Sequence, residues 1–259
     1  LAGAVFASSV SQAEVTRFYE LEGFEVLLNG NPESTALTED GAITLPPMTK
    51  EWFADPAASF SAAAVWGDEV VVARVDTGKV IAINEKGEER EVFKPEETIV
   101  TSMLAVGDDL LVSAAPPGRI YRVKRDGTSE VFYEAEGVYV WDMVAGDEGS
   151  VYLALGEPGI IVHVDADGEA EPIFISDQEH MRSVAYDATY GVFAGGGEKG
   201  IVYRQAKGTK EFQALYDTRT PEITALLIHD GYVFVAGVKG AASLIEEANS
   251  TTPRGSARK

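Results

Sequence analysis

Glycines that lead into apolar runs recur along this 259-residue chain at a nearly constant interval. Gly78, Gly118, Gly159 and Gly200 open GKVIAI, GRIYRV, GIIVHV and GIVYRQ at intervals of 40, 41 and 41 residues, and Gly240 follows 40 residues later. A second series, Gly87, Gly127, Gly168 and Gly208, runs in the same register at intervals of 40, 41 and 40. Two series in phase define a tandem array of units of about forty residues.

Each unit reads as four short strands joined by turns. One runs from Val100 to Ala105, turns at GDD, continues from Leu110 to Ser113, turns at APPG, continues from Arg119 to Lys124, turns at RDG and ends with Thr128 to Tyr133. Val, Ile, Tyr and Phe dominate the strands, where branched and aromatic side chains pack well on a pleated surface. The Asp-Gly and Lys-Gly pairs supply the positive φ that tight hairpins need. Helical periodicity is nowhere sustained, so the fold class is all-β.

Four antiparallel strands per forty residues is the pattern of a β-propeller blade. One four-stranded sheet cannot bury both its faces, and stacking successive sheets about an axis solves that problem. Four complete blades are expected at about 59–96, 98–135, 138–177 and 180–218, within a propeller spanning 34–244. Residues 222–237 read as the first two strands of a fifth blade, and STALT, AITL and EWF (34–53) as later strands of an earlier one. The half-blades either combine to close a five-bladed ring or belong to a fragment of a six- to eight-bladed ring.

The ends read differently from the middle. Residues 1–13 resemble the remnant of an export signal, with small residues at Ser11 and Ala13 placed for cleavage before Glu14. This points to a periplasmic or secreted protein, with 14–33 as an entry segment. Residues 245–259 read as a linker or disordered tail. Asp plus Glu number 42 against 21 Lys plus Arg, for a net charge of −21. Such a balance excludes binding to a phosphate backbone, which needs a basic face. The absence of cysteine removes disulfides, thiol catalysis and Cys-ligated metals, and no apolar run approaches the ~20 residues of a membrane helix.

The repeats resemble the broad bacterial β-propeller group that includes WD40-like, YVTN and quinoprotein-like repeats. Asp76-Thr77-Gly78-Lys79 resembles the D-x-T-G-K turn of quinoprotein-type blades, although Ile83 or Asn84 stands where that group usually has Trp. Third strands end AIN, RVK, HVD and YRQ rather than Trp-Asp, and Trp141-Asp142 lies in a first strand. The resemblance implies the fold and a general role in binding, not a chemistry.

Catalytic motifs are scarce. Gly195 to Gly200 matches G-x-G-x-x-G in letters, but a strand follows where a dinucleotide loop would open a helix, so it reads as a hairpin turn. Asp165-Ala166-Asp167-Gly168 lacks the downstream acidic ligands of a calcium loop and also reads as a turn. His163, His180 and His229 occupy inequivalent blade positions, which argues against a shared metal; His163 is expected to face solvent. No cofactor or metal is expected.

The innermost strands align as FSAAAV, VTSMLA, VWDMVA, MRSVAY and ITALLI. Their second and third positions gather Ser61, Thr101, Ser102, Trp141, Asp142, Arg182, Ser183 and Thr224 near the axis. Trp141, Asp142 and Arg182 depart from the small residues of the other blades and form a candidate platform for a ligand or a partner's loop. Alternatively, Asp142 pairs with Arg182 and Trp141 plugs the channel. The function expected is that of a non-enzymatic scaffold presenting a rim or channel mouth to a protein or glycan partner. The alternative is a propeller enzyme of the lyase, lactonase or quinone-dependent dehydrogenase type, with its site at the mouth.

Overall fold

A computed structural model describes residues 35–38, 42–46, 50–135 and 139–239. Gly240 and the proposed signal, entry segment and tail lie outside the described residues. The chain divides into two compact units, Leu1–Glu51 and Trp52–Lys259. In the first, β1 (Ala36–Leu37) and β2 (Ile43–Thr44) form an antiparallel hairpin whose turn is tied by the Ala42 amide donating to the Thr38 hydroxyl at 3.0 Å. The expected strand at EWF is absent: residues 51–53 belong to no strand.

The second unit is built from four four-stranded antiparallel sheets in chain order. The first holds β3 (Phe60–Trp66), β4 (Glu69–Arg74), β5 (Val80–Ile83) and β6 (Glu89–Phe93). The second holds β7 (Ile99–Val106), β8 (Asp109–Ala115), β9 (Arg119–Val123) and β10 (Ser129–Glu134). The third holds β11 (Tyr139–Ala145), β12 (Val151–Gly156), β13 (Ile160–Val164) and β14 (Ala170–Ile175). The fourth holds β15 (Met181–Asp187), β16 (Gly191–Gly196), β17 (Ile201–Gln205) and β18 (Phe212–Asp217), and a hairpin of β19 (Glu222–His229) and β20 (Tyr232–Val238) follows. The only helical turn among the described residues is a short 3₁₀ segment at Asp147–Gly149.

The first strands of successive sheets pack on one another, β3 on β7, β7 on β11, β11 on β15 and β15 on β19, which places them innermost. Three apolar seams run between the sheets. Trp66, Val71 and Val80 meet Met103, Leu110 and Val112 in the first. Leu111 and Ile120 meet Val140, Leu153 and Leu155 in the second, and Ala154 and Ile161 meet Met181, Val184 and Val192 in the third. Second strands with sheets on both sides are buried along their whole length, as in β12 and β16, except for half-buried Tyr152. By contrast, Leu227, Tyr232 and Phe234 of the last hairpin are exposed, and the array does not close into a ring among the described residues.

The two glycine series have different causes. All four of the second series sit at φ between 79° and 92° in third-to-fourth-strand turns, a region that only glycine enters without strain. In the first series, Gly78 and Gly200 have positive φ, whereas Gly159 is required by close approach, since a Cβ there would lie 2.5 Å from the Gln178 carbonyl.

A comparison within the series tests this. Gly78→Ala meets nothing within 4 Å and is expected to cost about 1–2 kcal/mol, the strain of a left-handed residue. Gly200→Ala places its Cβ 1.6 Å from the Thr220 carbonyl oxygen and should cost at least twice as much in urea unfolding. Equal losses would refute the packing argument.

Candidate functional site

Every innermost strand carries a β-bulge at the same place. The register slips between Phe60 and Ala62, Val100 and Ser102, Val140 and Asp142, Met181 and Ser183, and Ile223 and Ala225. The extra residue in each case is Ser61, Thr101, Trp141, Arg182 and Thr224. A bulge leaves one residue outside the ladder and re-aims its side chain. These five of the eight residues singled out from the alignment are therefore equivalent in backbone geometry as well as in sequence.

Only two of them meet. The Arg182 guanidinium carbon lies 3.9 Å from the centre of the Trp141 ring, a cation–π contact. Tyr139, two residues earlier on β11, stacks on Trp141 with centroids 4.6 Å apart and planes 18° from parallel. Arg182 Nε and Nη2 approach Glu222 Oε1 at 2.7 and 2.6 Å, so β19 holds the guanidinium against the indole. The indole N–H points to His180 Nδ1 at 3.3 Å, and the two rings meet edge to face. Gly156 makes this possible: a Cβ there would lie 2.3 Å from His180 Nδ1 and 2.4 Å from Trp141 Nε1.

Asp142 does not pair with Arg182. Its Oδ1 accepts the Met143 amide at 2.9 Å and its Oδ2 accepts the Val184 amide of β15 at 3.0 Å, tying the third sheet to the fourth. Burial pushes its carboxyl up to about 6, with the two amide bonds pulling the other way. Thr101 is also committed, donating to the Val140 carbonyl at 2.5 Å beside Ser113, which reaches the same oxygen at 3.1 Å. Ser102 and Ser183 are buried between sheets instead of lining a mouth, and the Ser183 hydroxyl has no hydrogen-bond partner among the described residues. Thr224 is exposed and reaches only the Ala236 carbonyl at 3.4 Å. Thus Trp141 and Arg182 form the accessible core of the predicted set, while Asp142, Thr101, Ser102 and Ser183 serve the seams.

The other expectations resolve locally. His163 is half-buried against Tyr152, with centroids 4.9 Å apart, because Tyr152 faces it across the β12–β13 ladder. Gly195 and Gly196 end β16, and Gly197–Gly200, like Asp165–Gly168, form a hairpin turn. Glu179, His180 and Glu198 bring potential ligand atoms within 4.8 Å of one another. The neutral His180 ring has one lone pair, however, and the Trp141 N–H occupies it at Nδ1, which puts the ring's own proton on Nε2. In this arrangement the imidazole is a donor and not a metal ligand, and Glu198 Oε2 is itself taken by the Glu179 amide at 2.9 Å. Sequence reasoning missed Tyr139, Gly156 and Glu222 and set His180 aside. The period could have found two of these, since Glu222 lies 40 residues after Arg182 and His180 lies 39 after Trp141.

Asp142 predicts a pH dependence. Its folded value lies above that of a free carboxyl, so the folded chain holds this proton more tightly than the unfolded one. Above about 6 the charged form costs stability, and the cost disappears as pH falls towards the unfolded value near 4. The difference corresponds to about 3 kcal/mol. In urea unfolding, wild type should therefore gain up to about 3 kcal/mol relative to Asp142→Asn between pH 7 and pH 4. A constant difference would refute the assignment.

No family model matches this chain, and no curated protein matches it. Solved structures do. A structure of a nidogen/laminin complex aligns over 70% of this chain and 73% of its own, at 12% identity and a TM-score of 0.62. A putative gluconolactonase aligns over 71% and 73%, at 14% identity and 0.58. Virginiamycin B lyase from Staphylococcus aureus aligns over 80% and 78%, at 14% identity and 0.56. Identities this low carry the architecture alone, and together with the consecutive four-stranded sheets they make this chain a β-propeller by fold.

Proposed function

We propose that this chain is an exported, non-enzymatic binding module that presents the Tyr139–Trp141–Arg182 stack to a protein or glycan partner. One observation carries the reading: a Trp and an Arg, each placed by a β-bulge, are clamped together by Tyr139 and Glu222 at the inner ends of two adjacent sheets. Trp, Tyr and Arg are the residues that dominate binding energy at protein interfaces, and rigid pre-assembly lowers the ordering cost of association. Asp142, the carboxylate next to Trp141 in the chain, is spent on two backbone amides. A neighbour solved as a nidogen/laminin complex supports use of the fold to hold a protein partner. The strongly acidic surface suits a partner with a basic or neutral face.

A second reading has its own support. Two neighbours are named as a lactonase and a lyase, and Glu179, His180 and Glu198 converge beside the stack as acid–base groups could. A quinone-dependent dehydrogenase is a further form of this alternative.

The two separate experimentally. Trp141→Ala and Arg182→Ala are each expected to weaken binding of the partner cross-linked by wild type at least about tenfold, about 1.4 kcal/mol, without lowering the melting temperature enough to unfold the chain at the assay temperature. Unchanged affinity in both variants, or lactone or virginiamycin B turnover abolished by His180→Ala, would overturn the binding reading.

A further inference from the structure

We propose that His180 is a proton-operated latch on Trp141, which releases the indole edge when the imidazole takes up a second proton. As a means of regulating the mouth this rests on the binding reading above; the latch itself stands on geometry. In the neutral state Nδ1 accepts the indole N–H at 3.3 Å, and the ring's single proton sits on Nε2. Protonation occurs at the nitrogen that Trp141 occupies. Both partners then present a hydrogen where one lone pair served before, so the bond is lost and the N–H groups repel.

Charged groups surround the imidazole. From the segment before β15, Glu179 brings a carboxylate oxygen within 4.8 Å of a His180 ring nitrogen, and from the β16–β17 turn Glu198 does the same. The nearby cations are engaged elsewhere: Lys199 pairs with Asp177, and Arg182, the one cation on β15 near the ring, is held by Glu222 while it covers the Trp141 face. Glu157, on the turn after β12, joins this segment through its amide, which donates to the Glu179 carbonyl at 2.7 Å. From β11, Asp142 adjoins Trp141 in sequence, but its carboxylate is turned to the Met143 and Val184 amides. Opening therefore leaves Tyr139 and Arg182 on the two faces of the indole and frees its edge. Imidazole side chains change charge between about pH 5 and 8, so an exported chain passing between compartments of different acidity would present two forms of the same mouth.

Gly156 fixes the closeness of the pair, and it offers a second handle. A methyl group there would overlap both Nδ1 and Nε1, and its backbone is not in the left-handed region, so alanine parts the rings without backbone strain.

The test reads the Trp141 indole ¹H–¹⁵N signal of the full chain between pH 5 and 8. Trp141→Phe assigns it against Trp52 and Trp66, the other two tryptophans. Wild type should show one titration. His180→Gln, which offers a neutral acceptor, should show none when Asp142→Asn has also removed the neighbouring carboxyl. Asp142→Asn should keep the titration, separating it from the neighbouring carboxyl, and Gly156→Ala should hold the signal at the low-pH position throughout. A flat wild-type signal overturns the latch, as does a titration that survives in His180→Gln combined with Asp142→Asn or in Gly156→Ala. If the signal titrates as expected but the partner binds Trp141→Ala as tightly as wild type, the binding reading fails and the latch remains.

Discussion

A four-stranded sheet with apolar residues on both faces has to be covered twice, and that requirement governs this molecule. Along β12 and β16 nearly every side chain is buried, including the half facing away from each sheet's own core, because another sheet lies on either side. The last hairpin shows the converse. Its strands have the same residue types, yet Leu227, Tyr232 and Phe234 stand exposed where no further sheet packs among the described residues. Burial of apolar surface at about 25 cal/mol per Å² acts without direction. It explains why sheets stack, but not why they stack in one register.

Register comes from polar ties spaced one period apart. Thr101 reaches Val140 across 39 residues, Asp142 reaches Val184 across 42, Arg182 reaches Glu222 across 40, and Tyr186 on the opposite side donates to Asp147 across 39. Each joins one sheet to the next, and each involves a group whose desolvation would be costly without its partner. A sheet that slid by one residue would leave several such groups unpaired at once. The recurrent bulge adds to this, because the ladder interruption at Val140 leaves a carbonyl that two hydroxyls of the previous sheet satisfy.

These two constraints also explain how much of the fold is legible in the sequence. Glycine spacing reports hairpins, whose backbone needs are local, so the four sheets fall within a few residues of their expected limits. The aligned inner strands located the bulged positions, since the residue outside the ladder is the one free to vary between Ser, Thr, Trp and Arg. Partners were harder. A sequence shows that Asp142 and Arg182 carry opposite charges but not that successive residues around a bulge point to different places, and the bulge sends Arg182 to Glu222 and Asp142 to backbone amides. The small residues Ser102 and Ser183 looked like neighbours of Thr101 and Arg182, and in a strand the next residue faces the other side. That alternation buries them.

The Trp141–Arg182 cluster is a local departure built on a uniform frame. At the bulge position two sheets carry Ser or Thr, the hairpin carries Thr, and the third and fourth sheets carry Trp and Arg. A single large substitution there would project an unsupported side chain, with its ordering entropy opposing any contact it made. Adjacent substitutions support each other: the indole gives the guanidinium a face, Glu222 one period on fixes the charge, and the glycine at 156 makes room for a histidine against the indole edge. Because these supports come from β11, β12, β19 and the segment before β15, the rigidity of the cluster is inherited from the stacking of whole sheets rather than from any one loop. A change that loosens the seam between the third and fourth sheets thus reaches the cluster without touching it, and Asp142, which ties that seam next to Trp141 in the chain, is the residue through which sheet packing and the geometry of the cluster are joined.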